Sequence, residues 1–140
     1  MNGSDKREKK GYHASIEKLT QENNAFREVL YTGKHLQLVL MSLKPGEEIG
    51  EEIHTNGDQF FRFESGAGTC VINGVSTSVT AGDAIIVPGG ALHNITNSDP
   101  VLSLKMYTIY SPPQHKDKTI RLTKLDAETQ KETFDNRTTE

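Results

Sequence analysis

Apolar residues along this chain come in short runs, several alternating strictly with polar ones, and turn residues interrupt them about every 8 to 12 positions. FREVLYTG, HLQLVLMSLKPG, EEIH, DQFFRFESG, GTCVING, VSTSVTAGD, AIIVPGG, HNITNSDP and VLSLKMYTIYSPP each combine β-branched, aromatic or aliphatic residues with a terminal turn signal, and the pattern predicts a strand in each. Asn73-Gly74, between TCVI and VSTSV, is the strongest hairpin signal, because both residues tolerate the positive φ of a type I′ turn. Gly82-Asp83 predicts a second tight turn. Many short antiparallel strands without a long helix predict an all-β sandwich or closed barrel, and closure removes exposed sheet edges. Outside the patterned region, residues 1–12 are charged and predict a loosely attached tail, residues 13–125 a barrel, and residues 126–140 a polar extension, with a weak helical patch near LDAETQKE.

A length of 140 residues is the size of one ordinary domain. With 16 basic against 19 acidic residues, a net charge of −3 and 6% aromatics, the chain carries no broad footprint for nucleic acid or an anionic membrane, so the expected partner is a small molecule. No apolar run approaches the roughly 18 residues of a membrane helix, and MNGSDKREKKGYH lacks the apolar segment of a signal peptide. The expected location is the cytoplasm. The single cysteine, Cys70, reads as a small core residue. No G-x-S-x-G elbow supports a hydrolase triad, and GAG and PGG read as strand turns rather than phosphate cradles.

Candidate chemistry gathers in two places. Side chains at i and i+2 of a strand share a face, so Glu52 and His54 project together if EEIH is extended. Gln59 begins the next strand after the turn Thr55-Asn56-Gly57 and can rejoin their pocket, with Phe61 and Phe63 along its wall and Met106 completing the apolar lining. Downstream, His93 follows Pro88-Gly89-Gly90 and the apolar AIIV run. A carboxylate, imidazoles and an amide oxygen converging on a cation would offset the cost of burying them. His115, in SPPQHKDKT, is a candidate proton shuttle at the barrel mouth. Tyr107 and Tyr110 alternate out of phase, so at most one faces the cavity, and Tyr107 is taken as the candidate catalytic tyrosine. Arg62, out of phase with Gln59 and Phe61, is expected to face outward.

The spacing carries a family resemblance. Gly46, five residues, Glu52-Ile53-His54, four residues, Gln59, six residues and Gly66 resemble the first cupin motif, whose ligand positions read His, x, His, then Glu. Gly82, five residues, Pro88, four residues, His93, three residues and Asn97 match the second cupin motif at every fixed position. The likeness to small single-domain bacterial cupins covers about residues 15–125. It implies a double-stranded β-helix, or jelly-roll barrel, of six to eight strands, a homodimer, and one divalent metal (iron, manganese, nickel or zinc) held by Glu52, His54, Gln59 and His93.

Two positions depart from the usual pattern: Glu52 stands where a histidine is expected, and Gln59 where the glutamate is expected. The altered set keeps one negative charge, and His54, His93 and Glu52 form a two-histidine, one-carboxylate group of the kind that leaves positions open on iron(II). The leading expectation is a metal-dependent, dioxygenase-like enzyme on a small metabolite. The alternative is a non-catalytic binding or sensing barrel. Below these stands a sugar isomerase resembling the phosphomannose isomerases, in which a Gln-x-His pair with a later glutamate and histidine surrounds zinc.

Overall fold

A computed structural model of the chain describes residues 6–140. A short 3₁₀ turn at Lys6–Glu8 and helix α1 (Ile16–Glu22) precede nine strands: β1 (Arg27–Thr32), β2 (Gln37–Leu43), β3 (Asp58–Ser65), β4 (Ala67–Ile72), β5 (Val75–Thr80), β6 (Ala84–Val87), β7 (His93–Asn97), β8 (Leu104–Ser111) and β9 (Ile120–Arg121). Helix α2 (Lys124–Thr129) follows. The strands form a six-stranded sheet in the order β6-β3-β8-β2-β1-β9 and a three-stranded sheet in the order β5-β4-β7. Among the described residues every strand pairing is antiparallel. The architecture is the expected double-stranded β-helix.

Strand alternation decides which side chains enter the interior. In β8, Leu104, Met106, Thr108 and Tyr110 are buried while Lys105, Tyr107 and Ile109 are only partly so, the period of two of a sheet packed on one face. Phe61, Phe63, Leu43, Met41, Met106 and Leu104 from the larger sheet meet Cys70, Val79 and Ile95 from the smaller one in a single core. Each fully buried large apolar side chain contributes about 1.5–3 kcal/mol. The core therefore holds the two sheets together.

The Asn73-Gly74 hairpin forms as its chemistry predicts, with φ of 47° and 82° and Ile72 paired to Val75. The segment EEIH does not form a regular strand. Glu48 and Glu52 make isolated bridges to Thr96 and His93, and the chain between them stays irregular. The C-terminal extension is fastened to the barrel: Phe134 N–H donates to the Gln114 carbonyl, Thr139 N–H to that of Thr32 at 2.9 Å, and the Tyr31 hydroxyl to the Glu140 carboxylate at 2.7 Å. The same carboxylate accepts from the Lys10 and Gly11 amides, so the expected N-terminal tail is tied down at its inner end, while residues 1–5 lie outside the described residues. Helix α2 coincides with the weak helical patch and is capped by Thr123, whose hydroxyl accepts from Asp126 N–H.

Candidate metal centre

Backbone pairing brings the two motifs together. Glu52 and His93 exchange two hydrogen bonds, N–H to carbonyl at 2.9 and 3.0 Å, which places both side chains on one face of the bridge. The His54 carbonyl accepts from Gly90 N–H at 2.9 Å, locking the first motif onto the Pro88-Gly89-Gly90 turn of the second. Gly57 completes this join, because a Cβ there would collide with the Ser111 carbonyl and come within 2.6 Å of Pro112 Cδ.

One ligand atom from each of Glu52, His54 and His93 lies within 4.8 Å of the others. The His54 and His93 rings stand 5.5 Å apart, and Phe61 backs His93 at 6.5 Å. His93 Nδ1 lies 3.0 Å from the Ala91 carbonyl, which can only accept, so Nδ1 carries the proton and Nε2 keeps its lone pair free for a ligand. His54 Nε2 sits 2.9 Å from Glu52 Oε2, yet the alignment is not that of a hydrogen bond, and Nε2 is buried without a hydrogen-bond partner. Two electron-rich atoms so close and misaligned for each other suit a shared cation. Burial pushes the Glu52 carboxyl up, but the imidazole of His54 beside it, with Arg27 and His93, outweighs burial and leaves the group below the usual carboxylate range. It is ready to bind as an anion.

Gln59 lies nearby in the interior, paired across strands with Tyr110 and Val87. The Thr108 hydroxyl donates to the Phe60 carbonyl at 2.8 Å, so it can only accept from Gln59 Nε2, at 3.0 Å. That fixes the amide's orientation and leaves Oε1 buried without a partner. Two imidazoles and one carboxylate therefore form a group that could hold a divalent ion, and an orphaned amide oxygen lies on the strand paired with Tyr110.

Tyr110, not Tyr107, faces the site. Tyr107 packs outward against Phe60 at 6.2 Å, whereas Tyr110 meets the His54 ring edge-on at 5.6 Å and its hydroxyl lies 3.2 Å from His115 Nε2. Strand phase separated the two tyrosines but could not choose between them. Burial first, then the Glu52 charge, raises Tyr110 well above an ordinary phenol, so it stays protonated. His115 Nδ1 lies 3.4 Å from Glu132 Oε2. Burial lowers the His115 pKa, opposed by Glu132, so the ring stays neutral at neutral pH.

A cleft of about 440 Å³ opens beside Glu52 and His115, lined on its apolar side by Phe26 and Ile49 and closed by α2 and the segment to Thr133. The expected wall of Phe61, Phe63 and Met106 is thus corrected: Phe63 and Met106 belong to the closed core, and Phe61 touches the site only from beneath His93. Arg62 points outward as expected and pairs with Glu64 at 3.0 Å. Sequence reading missed Arg27 and Glu132, because neither stands in a motif and the fold alone brings the C-terminal extension to the barrel mouth.

A cupin domain model matches residues 39–110, half of the chain. The chain belongs to the cupin family. This cupin is 44% identical over 124 residues to the uncharacterized protein YrkC of Bacillus subtilis, an alignment covering 84% of this chain and 66% of the relative, so it spans just under two thirds of that protein's length. A protein of Bacillus halodurans of known crystal structure is 41% identical and superposes with a TM-score of 0.83, over 86% of this chain and 95% of that one. An RmlC-like cupin of Shewanella frigidimarina superposes at 0.56 with 23% identity, over 61% and 74% of the two chains, a likeness of fold alone. Among the described residues no helix is long and apolar enough to cross a membrane.

Proposed function

We propose that this cupin holds one divalent transition metal ion on Glu52, His54 and His93, with Gln59 Oε1 as fourth donor, and acts as an enzyme of dioxygenase type on a small molecule entering by the cleft. The observation that carries this reading is the pair of buried atoms without hydrogen-bond partners, His54 Nε2 and Gln59 Oε1, in an interior whose other amides are satisfied. A bound ion would act as Lewis acid and orient substrate or oxygen at its open positions. The chain itself contributes a proton held on the Tyr110 hydroxyl, an acceptor at His115 Nε2, and Glu132 steadying the far side of that ring. His115 and Tyr110 thus take the acid–base role, and Phe26 and Ile49 supply the dry wall of the cleft.

Elemental analysis of protein purified without chelator is the test. We expect about one transition metal ion per chain, lost in His54→Ala and His93→Ala variants that remain folded. Metal-free wild type, or variants that keep the ion, would overturn the reading. A neutral amide where the motif usually has a carboxylate favours a second reading, a barrel that binds a metabolite without changing it. A stabilising ligand recovered intact from metal-free protein would support that instead.

A further inference from the structure

Arg27 opens β1 with a side chain only 12% exposed. Among the described residues it makes no hydrogen bond: its Nε is buried without a partner, and Nη1 stands 3.6 Å from Glu132 Oε1, beyond hydrogen-bond reach. Its guanidinium also lies over the face of Phe26, 5.5 Å from the ring centroid. A guanidinium presents five N–H donors in a planar fork, and leaving the buried Nε donor unfilled is costly. Glu132 cannot fill them alone, because it is shared with His115 at 3.4 Å and with Arg121 at 3.9 Å.

This unfilled fork lies in the wall of the cleft that also holds Glu52 and His115. Lys124 and Lys131 line the same cleft, as do Glu128 and Glu132. Arg27, Lys124 and Lys131 balance Glu52, Glu128 and Glu132 around the opening, three against three, and an ion on Glu52 would tip it positive; the seat itself rests on the unfilled guanidinium. A planar, doubly accepting anion matches a guanidinium better than a spherical one does.

We infer that the cleft takes a small carboxylic acid, its carboxylate seated on Arg27 and the rest of the molecule reaching toward Glu52. The position of the far end rests on the metal-dependent reading; the carboxylate seat does not.

Calorimetric titration with malonate, succinate and glutarate, each against its diamide and against sulfate, tests this on the protein as purified and again after chelation. At least one acid should bind about tenfold or more tighter than its diamide and than sulfate. Arg27→Gln should lose that preference while keeping its metal content and a cooperative unfolding transition. Arg27→Lys, which keeps the charge but not the fork, should recover it only in part, and this variant carries the test if Arg27→Gln does not fold. An acid bound no better than its diamide or sulfate, or undiminished affinity in Arg27→Lys, would overturn the inference. Acid binding by protein that holds no metal as purified without chelator would sink the metal reading and leave this one standing; metal without acid preference would do the reverse.

Discussion

Gln37 of β2 and Gln59 of β3 both stand opposite Tyr110 of β8, and both are buried, at 0% and 3% exposure. Gln37 uses its whole amide: Nε2 donates to the Thr32 hydroxyl and the His115 carbonyl at 2.9 and 2.8 Å, and Oε1 accepts the Gln114 and His115 amides at 3.2 and 3.0 Å. Gln59 uses one donor, to Thr108, and leaves its oxygen empty. Asn97, the last fixed position of the second motif, resembles Gln37, with Nδ2 on two carbonyls and Oδ1 on the Asp99 amide. Buried amides in this barrel are therefore rivets, except at the centre where the ligand atoms meet. Gln37 fastens the loop that presents His115, whereas Gln59 keeps an oxygen in reserve.

Replacing Gln37 breaks the comparison at its stronger end. Gln37→Leu strands two amides and a carbonyl and takes one of the two bonds of the Thr32 hydroxyl, and we expect a loss of about 2–4 kcal/mol in denaturant unfolding, with metal content unchanged in the folded fraction. Gln59→Leu sharpens it from the other side. It removes one hydrogen bond together with one orphaned oxygen, so stability should move by less than about 1 kcal/mol, while metal affinity falls about tenfold. Gln59→Glu, which restores the usual carboxylate, should bind the ion tighter than wild type in a competition titration. A Gln59→Leu protein as unstable as Gln37→Leu, with unaltered metal affinity, would make both glutamines rivets.

Much of this was legible in the chain. The strands and the Asn73-Gly74 hairpin follow from alternation and turn chemistry, which are local signals, while the meeting of Glu52, His54 and His93 follows from the resemblance to the two cupin motifs. The route by which Glu52 and His54 converge was not: EEIH is irregular, and the bridge to His93 does what strand phase was expected to do. The choice of Tyr110 over Tyr107 needed the absolute phase of β8, which only the packed core sets. Arg27 and Glu132 were invisible because a guanidinium and a carboxylate 105 positions apart in the numbering carry no local pattern, and they meet only when the extension folds back.

The smallest expected effect concerns the loop that Gln37 holds. Burial lowers the pKa of His115, and Glu132 only partly opposes it, so the folded ring releases its proton below the ordinary value of 6.5. The unfolded chain then takes up that proton first, and stability rises with pH wherever the unfolded state holds more protons. The His115 contribution is whole above about pH 6.5 and declines as pH falls from there toward the folded pKa. Glu132 is also lowered: burial pushes it up, but His115, Arg27 and Arg121 outweigh burial, so its contribution is present above its ordinary 4.5 and is lost as pH falls further, through the folded pKa. Melting temperatures measured between pH 7 and pH 4 should therefore fall in two stages. His115→Gln should flatten the upper stage and leave an acid limb at lower pH; an upper stage as steep as in wild type would place its origin elsewhere than in this ring.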